Sequence, residues 1–173
     1  ERNRPLPSAS PSETVGRGEA GGGDQEKERT KGWKGQTSVS RLVVDTNVLL
    51  SSFLTLGPPR RVLNRIRDGL DLLCLSQPIL EEYLSILRRA GVDRSLVESF
   101  LLLLQNPGRA VVVVPTRRVD IIREDPPDNM FLECALEARA DYIVSGDRHL
   151  TRIRRFGGIE ILSPRGYLEK AGA

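Results

Sequence analysis

Short aliphatic runs alternate with amphipathic segments from residue 41 to the end of this chain, and this alternation restricts the possible folds. The predicted strands are 41–45, 71–76, 110–115, 141–147 (with its turn) and 158–164. The predicted helices are 58–70, 77–91, 93–108, 126–140 and 164–171. Strands that are separated by helices form a mainly parallel sheet with helices on both faces. The sequence therefore predicts an α/β fold.

The first 38 residues differ in composition from the rest of the chain. They are rich in Gly, Ser, Pro and mixed charges, and Trp33 is their one large aromatic residue. Such a segment cannot bury enough apolar surface to offset the entropy lost on ordering, and it lacks a signal-peptide pattern. We expect a disordered or accessory tail over 1–38 and one folded domain over 39–173.

Charge and cysteine content exclude several classes of protein. Residues 39–173 contain 19 Lys and Arg and 17 Asp and Glu, so net charge alone does not indicate a nucleic-acid partner. Cys74 and Cys134 lie far apart and form no C-x-x-C pair, which argues against structural zinc and a disulfide scaffold. The longest apolar run, 100–104, is too short to span a bilayer. We expect a soluble cytoplasmic protein.

Aspartates follow two of the predicted strands. Asp45 ends the first strand, and Asp147 follows a later strand after a Ser-Gly turn. The carboxyl ends of parallel strands meet at one edge of a sheet, where ligands bind. Asp128 opens a predicted helix, where an N-cap role could also explain it. Asp125 precedes two prolines and is expected to be a loop or supporting residue.

A fourth acid comes from the helix over 77–91. Helical spacing places Glu82 at the edge of the apolar face and directs Glu81 further toward solvent. Clustered carboxylates either share a proton or hold a cation. His149 is the only histidine, so an all-oxygen site favours Mg²⁺ or Mn²⁺. Such a site suggests phosphodiester hydrolysis, in which the cation activates water and stabilises the leaving oxygen.

Four segments in this order resemble PIN-domain ribonucleases. They are VVDTNVLLSS, LSQPILEEYLSILR, REDPPDNMFLECALEARADYIVSGDRHL and GGIEILSPRGYL. The likeness covers about residues 40–170 and is strongest to the toxin components of bacterial and archaeal toxin–antitoxin pairs. The resemblance implies a Rossmann-like three-layer α/β/α sandwich with a mainly parallel sheet. It also implies a Mg²⁺- or Mn²⁺-dependent endoribonuclease that cleaves single-stranded or loop RNA, with a cognate antitoxin as partner.

The resemblance also assigns roles to individual residues. The acids that match the family's catalytic cluster are Asp45, Glu82, Asp128 and Asp147, and the expected metal ligands among them are Asp45, Asp128 and Asp147. The expected supporting residues are Thr46, Asn47, Ser145 and Asp125. The candidate RNA contacts are Arg148, Arg152 and Arg60, the last placed in the loop after the first strand; further candidates are Arg61, Arg154 and Arg155. His149 is expected to cap its loop or touch substrate, and a leucine-rich helix over 96–104 could support a homodimer.

Two other functions compete with this interpretation. An Asp-nucleophile phosphatase expects a second Asp two residues after the first, where this chain has Asn47, and a late Lys, for which only Lys170 is available. A P-loop enzyme is excluded because the G-x-x-x-x-G-K-[ST] motif is absent. The remaining alternative is a catalytically silent interaction module whose acids hold metal structurally.

Overall fold

The computed structural model describes residues 39–173, and the expected tail over 1–38 lies outside the described residues. The strands are β1 (Ser40–Val44), β2 (Asp71–Ser76), β3 (Ala110–Val113), β4 (Tyr142–Val144), β5 (Arg155–Phe156) and β6 (Ile159–Leu162). The α-helices are α1 (Thr46–Leu54), α2 (Pro58–Asp68), α3 (Gln77–Arg89), α4 (Arg94–Leu104), α5 (Asn129–Ala138), α6 (Arg148–Thr151) and α7 (Pro164–Lys170). A 3₁₀ turn at Pro126–Asp128 leads into α5. Among the described helices, none combines the length and apolar character that crossing a bilayer requires.

The strands form one sheet in the order β3-β2-β1-β4-β6-β5. All neighbouring strands are parallel except β5, which is antiparallel to β6. The chain adds β2 and β3 on one side of β1 and then returns to place β4 on the other side. The strand order therefore reverses between β1 and β4, which is where open α/β sheets bind ligands at their carboxyl ends. The predicted three-layer α/β/α fold is confirmed.

The core lies along the central strands. Leu42, Val43 and Val44 of β1 are buried, as are Leu73 and Leu75 of β2. Helices α2 and α7 pack on each other, and α5 packs across β1, β2 and β4. Central strands covered on both faces read as continuous apolar runs, which explains why the sequence predicts them well. Both cysteines are free and buried in this core.

Strand β3 departs from its prediction. Its β-branched run predicts a strand buried on both faces, but Val112 is 55% exposed. The reason is that β3 pairs with β2 alone and forms the edge of the sheet. A run of valines indicates a strand without revealing its place in the sheet.

A buried ion pair fixes α2 to the start of β2. Asp71 is fully buried, and it accepts hydrogen bonds from Arg65 Nε at 2.7 Å and Nη2 at 3.1 Å. The Arg65 guanidinium also lies over the Tyr167 ring of α7, 5.9 Å from its centroid. Arg65 therefore joins α2 to the start of β2 and to α7. Its guanidinium also neutralises the Asp71 carboxylate, which would be costly to bury alone.

Candidate active site

Asp45 lies at the carboxyl end of β1 and is only 3% exposed. Its Oδ1 accepts a hydrogen bond from Asn47 N at 2.9 Å, and its Oδ2 accepts one from Ser145 Oγ at 2.6 Å. Burial raises the pKa of Asp45 and the charge of Asp147 adds to this, whereas the bonds from Ser145 and Asn47 oppose the rise. Both oxygens are thus held in fixed directions. The segment after β1 is helix α1, which the sequence did not predict, and Asp45 caps its start.

Ser145 connects two of the candidate acids. Its hydroxyl donates to Asp45 Oδ2 and accepts a hydrogen bond from Asp147 N at 2.9 Å. Asp147 Oδ1 in turn accepts from His149 N at 2.6 Å and caps α6, a four-residue helix that the sequence did not predict. The fully buried Ser145 therefore sets the relative position of the ends of β1 and β4.

Replacing Ser145 with Ala should lower the catalytic activity of this site by roughly 10–100-fold, the usual cost of losing a group that orients a ligand side chain. Ser145→Thr keeps the hydroxyl and should restore most of the activity. Ser99→Ala, which alters an exposed serine of α4, is the control. Equal activity of Ser145→Ala and wild type would show that the hydrogen bonds of Ser145 to Asp45 and Asp147 do not order these acids.

Asp128 stands at the junction of the 3₁₀ turn and α5, and it is half-buried. Its side chain makes no capping hydrogen bond, so the N-cap explanation does not account for it. Burial raises the pKa of Asp128 to about 6, and the charges of Asp125, Asp147 and Asp45 add to the rise, whereas His149 opposes it. Three predicted acids, from three separate segments, therefore interact electrostatically in one place.

Asn129 positions the loop before Asp128, and the sequence analysis missed it. Its Oδ1 accepts from Ile121 N at 3.0 Å and Ile122 N at 2.9 Å. Its Nδ2 donates to the Ile122 and Pro126 carbonyls at 2.9 Å each. Asn129 is 5% exposed. A buried amide beside an aperiodic loop is the available signal, because the loop's backbone groups need partners.

Glu82 is less closely associated with the other acids. It is half-buried on α3, one residue before the buried Tyr83, whose hydroxyl donates to the Val44 carbonyl. The pKa of Tyr83 is raised mainly by burial and, to a smaller extent, by Cys134, Asp45 and Glu82. Glu82 is not among the groups that shift the pKa of Asp45 or Asp128. It lies toward this end of the sheet but at the margin of the cluster.

The acids fit a hydrated cation site better than a closed one. Within residues 39–173, no three His, Cys, Asp or Glu side chains converge closely enough to hold an ion by themselves. Mg²⁺ commonly uses one or two carboxylates and completes its shell with water and substrate phosphate. The carboxylates of Asp45, Asp128 and Asp147 fit this mode. Because the pKa of Asp128 is raised to about 6, cation binding would release a proton from it at and below that pH.

Of the expected supporting residues, Ser145 hydrogen-bonds to the acids through its side chain, whereas Asn47 and Thr46 do not. Asn47 holds Asp45 through its backbone N–H, not its side chain. Thr46 is 3% exposed, but its hydroxyl makes no hydrogen bond with any part of the described chain. The exposed Asp125 acts on Asp128 through its charge.

The arginine candidates divide into two groups. Arg60 and Arg61 were predicted in the loop after β1, but they lie on α2. Arg60 donates hydrogen bonds to the Phe53 carbonyl at 3.0 Å and to the Ser52 carbonyl, and so caps the end of α1. Arg148 is exposed, and Arg152 is 65% exposed with its Nη1 4.0 Å from Glu124 Oε2. Arg154 and Arg155, which follow α6, are also exposed.

Glu124 is a further residue that sequence reasoning missed. Its Oε2 lies 2.7 Å from His149 Nδ1 and so fixes the imidazole beside the acid cluster. The contact spans 25 positions of the chain, so no local pattern reveals it. It links the loop before Asp128 to the start of α6.

Asp128→Asn should stabilise the metal-free protein at neutral pH. The folded pKa of Asp128, about 6, exceeds the ordinary value of 3.8, so the folded state binds this proton more tightly than the unfolded state. The proton on Asp128 therefore stabilises the folded wild type below pH 3.8, and this stabilisation is lost as the pH rises to about 6. The advantage of the variant should grow over this interval to about 1 kcal/mol, a value discounted because the side chain is only half-buried.

Thermal melts of both proteins in EDTA from pH 4.5 to 7.5 measure this difference, with Asp68→Asn on the exposed end of α2 as control. A difference in Tm that stays constant with pH would contradict the raised pKa.

A family model described as PIN domain matches residues 41–149, a segment that contains Asp45, Glu82, Asp128 and Asp147. No curated protein matches the chain. The matched segment spans more than half of the sequence and includes both strand ends that carry the acids. The chain therefore belongs to the PIN-domain family of nuclease-type hydrolases.

Proposed function

We propose that this protein is an endoribonuclease that hydrolyses RNA phosphodiester bonds with Mg²⁺ or Mn²⁺. The supporting observation is that Ser145 joins Asp45 and Asp147 at the point where the strand order reverses. Asp128 lies near enough for the charges of both acids to raise its pKa. A bound cation would supply activation of water and stabilisation of the leaving oxygen. Ser145 and the backbone of Asn47 orient Asp45, and Asp128 would add a third carboxylate to hold the cation.

The contacts to RNA come from the side of the site formed by α6. Arg148 and Arg152 are exposed there, and guanidinium groups suit bidentate contact with phosphate. Such contacts position the strand without reading its sequence. We assign catalysis to residues 39–173, so a chain that lacks 1–38 should cleave the same bonds.

Mapping of RNA 5′ ends after incubation with the purified chain tests the proposal. We expect cleavage within single-stranded segments, loss of cleavage in EDTA, and recovery with Mg²⁺ or Mn²⁺. Absence of cleavage on total RNA with either cation would refute the nuclease and favour the silent interaction module.

We further propose that the chain is the toxin of a cytoplasmic toxin–antitoxin pair, and a groove between α2 and α4 supports this. The α2/α4 groove encloses about 510 Å³, and Phe53, Leu63 and Phe100 lie among its lining residues. Leu96 and Leu102 on its wall are 43% and 66% exposed. Contiguous exposed apolar surface of this kind marks a binding site.

The charges at the α2/α4 groove select its occupant. Arg60, Arg67 and Arg109 line it, and no acidic side chain of the described residues does. We assign it to an apolar antitoxin segment that carries acidic residues. Growth of cells that express the chain with and without its neighbouring gene tests this assignment.

Leu102→Asp should remove rescue by the partner while leaving RNA cleavage intact. Sedimentation of the chain alone distinguishes the other occupant, because a dimer that Leu102→Asp dissociates would assign the groove to a second copy. No growth defect and no complex would refute the toxin role.

A further inference from the structure

A second cavity adjoins the acid cluster on the side of α1. This α1 pocket encloses about 260 Å³ and is lined by Asn47, Ser51, Pro59, Gly146, Asp147 and Pro164. Asp147 belongs both to its wall and to the candidate active site. Asn47 also touches both, because its backbone N–H donates to Asp45. Anything that fills the pocket therefore lies next to the reacting groups.

The charge of the α1 pocket favours a neutral ligand. Asp147 is its one charged side chain, and no Arg, Lys or His of the described residues lines it. A phosphate there would face a carboxylate without a cationic side chain. Arg123, His149 and Arg152 instead line a separate cavity of about 250 Å³. The two cavities share no residue, so Arg152, one of the proposed phosphate contacts, lies outside the α1 pocket.

The size, rigid walls and polar groups of the α1 pocket suit a single heterocyclic ring system. Pro59 and Pro164, each in the first turn of its helix, supply rigid apolar surfaces. Asn47 and Ser51 lie four positions apart and hence on one face of α1. In the described chain, neither side chain has a protein hydrogen-bond partner, so an amide and a hydroxyl are available to a ligand. A volume just below that of ordinary small-molecule sites, about 300–1,000 Å³, limits the ligand to one ring system.

Gly146 keeps the α1 pocket open. A Cβ built at this position meets no atom within 4 Å, and Gly146 is not among the residues with positive φ. Backbone strain and crowding therefore do not require glycine here. A side chain at position 146 would instead take space in the pocket.

We propose that the α1 pocket binds one unpaired nucleobase of the RNA next to the cleaved bond, and that Asn47 and Ser51 read its hydrogen-bonding edge. The inference rests on the proposed ribonuclease function. Sequence-specific proteins recognise RNA by taking single bases out of the stack and bonding their edges. An amide and a hydroxyl offer both donors and acceptors for such an edge. The pocket thus gives the enzyme a nucleotide preference that phosphate contacts cannot supply.

Synthetic RNAs that differ at one nucleotide test the proposal. The cleavage site is mapped first, and an abasic residue is then placed at each flanking position in turn. For wild type, one abasic position should lower kcat/KM by about 10-fold or more. Gly146→Leu should cleave the intact RNA as slowly as wild type cleaves the abasic one, and should not distinguish the two. Ser85→Leu, on the exposed side of α3, is the control for an added apolar side chain.

A second variant and a binding assay keep the test independent of folding and of catalysis. The double variant Asn47→Ala/Ser51→Ala should cleave RNAs that carry any of the four bases with similar kcat/KM. The RNA with the abasic residue should remain a poorer substrate than all of them. Anisotropy in EDTA measures binding of the same RNAs without turnover. If an abasic residue at no position lowered the cleavage rate, base binding in the α1 pocket would be refuted, whereas the ribonuclease proposal would be retained. Base-dependent binding without any cleavage would refute the nuclease and keep the pocket, and RNA that is neither bound nor cleaved would overturn both.

Discussion

Asp45→Asn should reduce metal-dependent RNA cleavage by about 10³-fold, at the upper end of the cost of removing one preorganised electrostatic group. Asp45 is the most buried acid of the cluster, and it ends β1, beside the place where the strand order reverses. The amide oxygen of the variant can still accept from Asn47 N, and its nitrogen can donate to Ser145 Oγ. The variant therefore keeps the local hydrogen bonds but loses the charge that a cation requires.

The fold of Asp45→Asn should remain intact, because burial already disfavours the charged form of this carboxyl. Circular dichroism and thermal melting should show a stability equal to or above that of wild type. Asp68→Asn repeats the same chemical change on α2, where Asp68 is 51% exposed, and should retain full activity. Activity of Asp45→Asn near the wild-type level would remove Asp45 from the catalytic site.

Arg65→Ala should produce the largest loss of stability, about 3–5 kcal/mol, because it leaves the carboxylate of Asp71 buried without a partner. Asp71 is fully buried and receives two hydrogen bonds from Arg65. The contact of the guanidinium with the Tyr167 ring is lost as well. A Tm lower by more than about 10 °C is the expected result.

Two further variants separate charge burial from loss of an arginine. Arg67→Ala breaks the Arg67–Asp68 pair, which is 63% and 51% exposed, and should change stability by less than about 1 kcal/mol. Arg65→Met combined with Asp71→Leu removes both charges and should recover most of the lost stability. If Arg65→Ala melted like Arg67→Ala, the pair would not hold α2, β2 and α7 together.

The features that the sequence predicts well are those with a strong local signal. Strands β1 and β2 are covered on both faces, so their apolar runs are continuous, and Asp45 and Asp147 follow strand ends directly. Asp93 directly precedes α4, and its side chain accepts from Ser95 N, as is typical of an Asp at the start of a helix. In each case the residues that decide the structure are neighbours along the chain.

The features that the sequence missed depend on distant contacts. Helix α1 has apolar residues in five of the seven positions after Asn47, without a clear apolar face, so its period is hidden. The edge position of β3 follows from strand order, which valines do not encode. Asn129, Glu124 and Arg60 each bond to a separate segment that lies 7 to 25 positions away along the chain. Composition gives no signal for such contacts.

We propose that one hydrated divalent cation lies among Asp45, Asp128 and Asp147 and contacts them directly or through its water shell. Crystals of the wild-type chain soaked in Mn²⁺, with diffraction recorded at the manganese absorption edge, test it most directly. The account predicts an anomalous peak within coordination distance of at least one of these carboxylates, and its loss in Asp45→Asn. A manganese peak that lies only elsewhere on the molecule, or an unchanged peak in the variant, would contradict it.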